Sequence, residues 1–212
     1  MKLVLLITLL IPLHLKAQYD FEPDSINQFR ASKLGQPNTD SIKFEFRLWN
    51  SGTHFSIFSQ LTLNKTDKWN YRTGFENHDG EFVFFENNPE INVKKIWTTL
   101  DSLGIRNLPN QFDITASFEK NGYVHKLSIE QFEKMIGTDG SAITIELFNE
   151  GNFRTYSYIN PLSLSESFKN SKDKWIAPEH HAIAEIVYVV NSRLKTFDDF
   201  NQYLVDQRDK RR

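Results

Sequence analysis

The chain has no cysteine among its 212 residues. That absence removes disulfides, thiolate metal sites, cysteine nucleophiles and lipid attachment through an N-terminal cysteine. Methionine is also scarce, at two residues, so the apolar positions must be filled by aliphatic and aromatic side chains. After Ala17 no apolar run approaches the ~20 residues that a membrane-spanning helix needs. Nor is there an excess of basic charge: 25 Lys and Arg stand against 27 Asp and Glu. That balance argues against a general nucleic-acid or anionic-membrane binder. The familiar catalytic signatures are missing too. There is no phosphate-binding loop, no Gly-x-Ser-x-Gly elbow, no His-Glu-x-x-His and no dinucleotide fingerprint after a strand. An active site assembled in space is not excluded by this, but no motif argues for one.

The first residues have the layout of a secretory leader. Lys2 supplies a positive charge, Leu3 to Leu13 is almost unbroken apolar sequence, and Ala17 is small. A core of that length suits an export signal and is too short for a span. The reading is a signal peptide over 1–17, cleaved before Gln18, and a protein that works in a periplasm or outside the cell. An uncleaved anchor or buried N-terminal helix is the plainer alternative. Residues 18–41 then form an extended lead-in, 42–205 a single domain, and 206–212 a basic C-terminal tail. A division into two parts would fall between Leu103 and Asn110.

Aromatic side chains are the prominent feature: eighteen Phe, four Trp and seven Tyr. Most fall in alternating runs, the mark of β-strands with one buried face. Ile42, Phe44, Phe46 and Leu48 alternate with Lys43, Glu45, Arg47 and Trp49. Ile57, Leu61 and Leu63 continue on a second strand where Phe58 is out of phase, which points to a bulge or a second buried face. Trp69, Tyr71, Thr73 and Phe75 make a third strand, and Asp79-Gly80 turns the chain toward Phe82. Asn121-Gly122 is a type I′ turn pair, and Glu150-Gly151 turns a further hairpin.

Helical spacing is confined to a few segments. Asn88 and Pro89 read as the cap and first turn of a helix carrying Val93, Ile96, Trp97, Leu100 and Leu103, ended by Gly104. Ser128 and Gln131 form a capping box, with Leu127 and Phe132 as staple. Pro178 opens the longest helix, striped by Ile183, Ile186, Val187, Val190 and Leu194. Asp198 caps a short last helix to about Val205. The expected architecture is α+β: a largely antiparallel sheet of about seven or eight strands with two or three packed helices, the longest near the C-terminus.

Candidate chemistry lies in four places. His181 and Glu185 are four apart on one helical face, beside Glu179 and His180, and could supply two of the three or four ligands of a metal. A solvated helix start is the plainer reading. The Asn121-Gly122 turn pairs Phe118 with His125, a position that suggests a hydrogen-bonded core histidine. His54 and His78 read as exposed polar residues. Arg154, Tyr156 and Tyr158 share one face of a strand, paired with Leu147, Ile145 and Ile143. They could recognise a carboxylate, phosphate or sugar, or the arginine could lie over the rings with its head in water. Trp49 sits on the polar face of its strand, where alternation leaves it exposed as a stacking platform unless another element covers it. Asn64-Lys65-Thr66 fits a glycosylation acceptor.

These features favour a non-catalytic binding module for a partner protein, a glycan or a small apolar ligand. They imply no cofactor and no nucleic acid. A hydrolase with a spatially assembled histidine and carboxylate site, with or without a metal, is the alternative.

Overall fold

The computed structural model describes residues 34–35, 37–38, 40–52, 55–77, 79–114, 117–128, 130–131, 134, 141–149, 152–162, 174–176 and 178–210. The leader 1–17, the staple residue Phe132, His54, His78 and Arg211-Arg212 lie outside them. Strands β1 (Ile42–Ser51), β2 (Ser56–Asn64), β3 (Trp69–Glu76), β4 (Phe82–Phe84), β7 (Ala142–Asn149) and β8 (Asn152–Ile159) form a six-stranded sheet. Its order is β4-β3-β2-β1-β7-β8, and every pairing is antiparallel. A three-stranded sheet has the order β6-β5-β9, from β5 (Ser117–Lys120), β6 (Tyr123–Lys126) and β9 (Lys174–Ile176). Three helices are described along their length: α1 (Val93–Ser102), α2 (Pro178–Leu194) and α3 (Thr196–Lys210). The fold is α+β, as the pattern of periods implies.

Strand alternation sorts the large sheet into two faces. Register places Phe46 opposite both Leu61 and Leu147, and Leu48 opposite Ser59 and Ile145. That face carries the main core. Phe44, Phe46, Leu61, Ile143, Ile145 and Tyr156 pack against Val93, Ile96, Trp97 and Leu100 of α1 and against Ile183, Ile186, Val187 and Val190 of α2. Trp97 stacks beside Phe44 at 4.2 Å and Trp69 at 6.2 Å between ring centres. The stripe expected on α2 is buried throughout. α3 covers the far end of the same face, where Phe200 meets Phe75 at 4.9 Å and Phe55 at 4.5 Å.

Several local expectations meet the structure directly. Asn121 and Gly122 both have positive φ, at 53° and 80°, and Lys120 pairs with Tyr123. The capping box is reciprocal: Ser128 N–H donates to Gln131 Oε1 at 3.0 Å, and Gln131 N–H to Ser128 Oγ at 3.2 Å. Gly104 has φ 77°, and the N–H of Ile105 returns to Leu100 O at 3.4 Å, closing α1.

Two helix boundaries differ. α1 begins one turn later than Asn88-Pro89, with Asn92 Oδ1 accepting from Lys95 N at 3.0 Å. Asn88 Oδ1 instead accepts from Glu90 N at 2.9 Å in a preceding turn, so two asparagines do the same local job four residues apart. α3 starts at Thr196, directly after Lys195 with φ 55°, and runs on to Lys210, through most of the expected tail. Among the described residues no helix is long and apolar enough to cross a membrane.

Candidate functional site

Arg154, Tyr156 and Tyr158 lie where the hairpin register puts them, opposite Leu147, Ile145 and Ile143. Their polar ends are taken by the chain itself. The Tyr156 hydroxyl donates to Ile105 O at 2.5 Å and the Tyr158 hydroxyl to Pro109 O at 2.6 Å. The Arg154 guanidinium donates to Arg106 O and Leu108 O. Gln111 completes the series, with Nε2 donating to Ile159 O at 3.1 Å and Oε1 accepting from Ile159 N at 2.7 Å. This ladder clamps the connector 105–111 onto β8. Burial pushes the pKa of both tyrosines well above the ordinary phenol range, so they stay protonated donors. The group read as a ligand-recognition cluster therefore recognises backbone carbonyls of its own chain.

The histidines also separate. His180 is fully buried, 3.2 Å from Gln111 Nε2 through its Nε2, with its ring edge-on to Tyr158 at 5.5 Å. Burial, and secondarily the neighbouring His181, pushes its pKa down to about 4. His181 is half-buried and Glu185 exposed, one turn apart on α2. Among the described residues no group of three or more His, Cys, Asp or Glu is placed to hold a metal. His125 pairs with Phe118 in register, but β6 is exposed along its length, so the expected core position is corrected to a surface one. The side chain of Asn64 caps its own turn, accepting from Thr66 N, Thr66 Oγ1 and Lys68 N at 2.8–3.0 Å.

Trp49 is the larger correction. It is not an exposed platform: its relative exposure is 0%. It packs against Phe58 at 5.2 Å and Phe82 at 6.0 Å, and Leu34 joins the same cluster. The physical reason is that the second face of the sheet is buried as well, which also accounts for the out-of-phase Phe58. Gly74 on β3 makes room for this packing, since a Cβ there would lie 2.9 Å from the Phe58 ring and 2.2 Å from Val83 O.

Beside these rings the second face carries charge. Glu45, Arg47 and Glu146 are 2%, 4% and 4% exposed. Arg47 Nε donates to Glu45 Oε1 at 2.5 Å, its Nη1 lies 3.8 Å from Glu146 Oε2, and its Nη2 donates to Gly35 O at 2.6 Å. Trp49 Nε1 donates to the same Glu146 oxygen at 3.2 Å. Two strands further, on β3, Arg72 Nε donates to Gln60 Oε1 at 2.7 Å and its Nη2 reaches Leu34 O at 3.5 Å. Residues 34 and 35 thus bridge the arginines of β1 and β3. Arg72 is exposed at the edge of this array, with its guanidinium 5.4 Å from the ring centre of Phe84. Burial lowers its pKa, while Glu45 raises it and Arg47 adds to the lowering. Leu34, Gly35, Asn38, Glu45, Arg47, Gln60, Thr62, Asn70 and Arg72 all line a cavity of about 260 Å³.

None of Glu45, Arg47, Gln60 or Arg72 stands out in the sequence as a candidate. A signal is present, because the register of the first hairpin sets Arg47 opposite Gln60, on the face shared by Trp49 and Phe58. A second hollow of about 280 Å³ lies along α1 and α2, lined by Glu90, Asn92, Lys95, Thr99, Val189 and Arg193 among others. Its two basic side chains are exposed.

Fold and site together define an α+β protein with one apolar, helix-covered sheet face and a second face holding a buried ionic cluster at a cavity. Compared with protein-family models, curated proteins and solved structures, the chain finds no match in any of the three.

Proposed function

We propose that this protein is a non-catalytic binding module, exported after removal of residues 1–17, whose site is the cavity beside the buried ionic cluster on the second sheet face. One observation carries the reading: Glu45, Arg47 and Gln60 line a cavity although each is at most 4% exposed. Desolvating an ion costs several kcal/mol, and well-packed apolar residues commonly serve stability as well or better. Charge kept at such a position beside an open volume is what a recognition site requires. The volume suits a small molecule below drug size. The ionic and amide side chains set into this lining, among Leu34, Ile42 and Tyr71, favour a ligand that carries charged or hydroxyl groups as well as apolar surface. The hydrolase alternative needs histidines converging with carboxylates, whereas His180 sits in the connector clamp and His125 on an exposed strand.

The test is a thermal-melting panel of the purified chain with monosaccharides, amino acids and small organic acids. A ligand of the folded state at 100 times its dissociation constant adds about 2.7 kcal/mol. For a chain of this size that is a rise of roughly 5–10 °C. The rise should vanish in Asn70→Trp, which puts a large ring at an exposed position of the cavity lining. A panel with no shift, or a shift unchanged in Asn70→Trp, overturns the assignment. Export is checked separately by the intact mass of the chain recovered outside the cytoplasm, expected to begin at Gln18.

A further inference from the structure

We infer that the ligand of this cavity is a small hydroxylated carboxylate and that Arg72 is the residue that reads its charge. The inference rests on the cavity being the binding site. Its basis is how the two arginines are engaged. Arg47 is committed in all directions, to Glu45, to Glu146 and to Gly35 O. Arg72 is bonded to neutral oxygens alone, Gln60 Oε1 and Leu34 O, and makes no ion pair among the described residues. Both carboxylates of the cluster, Glu45 and Glu146, are engaged by Arg47, which leaves Arg72 without a carboxylate at ion-pair distance among the described residues. A ligand carboxylate would supply that partner.

The geometry suits that role. A guanidinium binds a carboxylate through a planar fork of two N–H donors, and its selectivity depends on that plane being held. Here Gln60 holds the Nε side and the Phe84 ring lies against the group. Phe84 is itself 47% exposed, so the arginine stands between solvent and the buried floor. Among the other lining groups, the amides of Asn38, Gln60 and Asn70 and the hydroxyl of Thr62 can exchange hydrogen bonds with ligand hydroxyls. Acidic sugars and free hydroxy acids share this chemistry.

Matched pairs of probes separate charge from shape and one source from the other. Calorimetric titration of the full chain would use glucuronate against glucose, and glycerate against glycerol. The expected result is that the acid of one pair binds at least tenfold more tightly than its neutral partner. Arg72→Gln should abolish that preference, and Arg72→Lys should keep part of it. Arg72 is exposed, and unchanged melting temperatures of the unliganded variants would verify that both fold. Preference in the sugar pair alone identifies an acidic sugar; preference in the smaller pair identifies a hydroxy acid. Equal binding of acid and neutral partner, weakened by Asn70→Trp, overturns the inference and leaves the cavity as the site. Binding untouched by Asn70→Trp, or no binding by any probe, overturns both.

Discussion

Arg47 shows what a single residue does in this molecule. Its charge is shared between two buried carboxylates, Glu45 and Glu146, and a carbonyl at Gly35. Arg47→Met would leave both acids buried without their cation. The expected loss is about 3–5 kcal/mol in urea denaturation, because removing one partner exposes the full desolvation cost of the others. Converting Glu45, Arg47 and Glu146 together to apolar residues should recover most of that loss. Recovery would mean that the cluster is dispensable for folding, which is the outcome a recognition site requires; failure to recover would make it a structural device. Gly74 is the neighbouring test of packing. A methyl group there meets Val83 O at 2.2 Å, and that carbonyl belongs to the paired strand and cannot swing away. Gly74→Ala should cost about 1–3 kcal/mol or more, and the same urea titration checks it.

At the scale of elements, the connector 105–111 is held by side chains where it has no ladder of its own. Three successive same-face positions of β8 bond four of its carbonyls, and Gln111 makes two bonds to Ile159. Tyr158→Phe leaves Pro109 O without its buried donor and is expected to cost about 1–3 kcal/mol. The decisive readout is hydrogen exchange, which should accelerate over 105–111 with the rest of the sheet unchanged; global acceleration would mean that the clamp is part of the main cooperative unit. Much of the element level is legible in the sequence. The pairing of Arg154, Tyr156 and Tyr158 follows from a two-residue turn, because a turn of known length fixes every register position behind it. The stripe on α2 and the capping box at Ser128 are legible for the same reason: each depends on residues within one or two turns. What those side chains touch is not legible, since their partners lie some fifty positions away. The expectation for Trp49 fails because alternation describes one strand and cannot tell whether a second layer covers its polar face. Arg47 and Arg72 do not stand out in the sequence because charge on an alternating strand ordinarily faces water, and the hairpin register that sets Arg47 beside Trp49 and Phe58 is the one signal against it. The length of α3 is hidden by its polar surface, where Gln202 bonds Asp206 one turn on and Phe200 is the last buried position.

One buried side chain makes a separable contribution to the pH dependence of the whole molecule. His180 is buried between Gln111 and the edge of Tyr158, and its pKa falls from 6.5 to about 4. The unfolded chain therefore binds a proton between those values that the folded chain refuses. Stability rises with pH wherever the unfolded state holds more protons, so this contribution is complete above about pH 6.5 and is lost as pH falls toward 4. A tenfold difference in proton affinity between the two states is worth about 1.4 kcal/mol, which makes the loss about 3 kcal/mol between pH 7 and pH 4. Other groups titrate over the same range. Asp199, raised by burial and by Asp198, works in the opposite sense, and ordinary carboxylates add their own slope. Comparison with His180→Gln cancels them, because every other group is common to both proteins. Urea denaturation at pH 4, 5, 6 and 7 should show the parent losing about 3 kcal/mol more than the variant, with the difference closing above pH 6.5. Parallel pH profiles would mean that His180 binds its proton equally well in the folded and the unfolded chain. The location matters as much as the size. Protonating His180 strains its contact with Gln111, which also ties the connector to β8, so acid should loosen residues 105–111 before it unfolds the sheet. Exchange over that segment, followed in the parent as pH is lowered, is expected to depart from the sheet first, and simultaneous loss of protection everywhere would show that the histidine is coupled to the core as a whole.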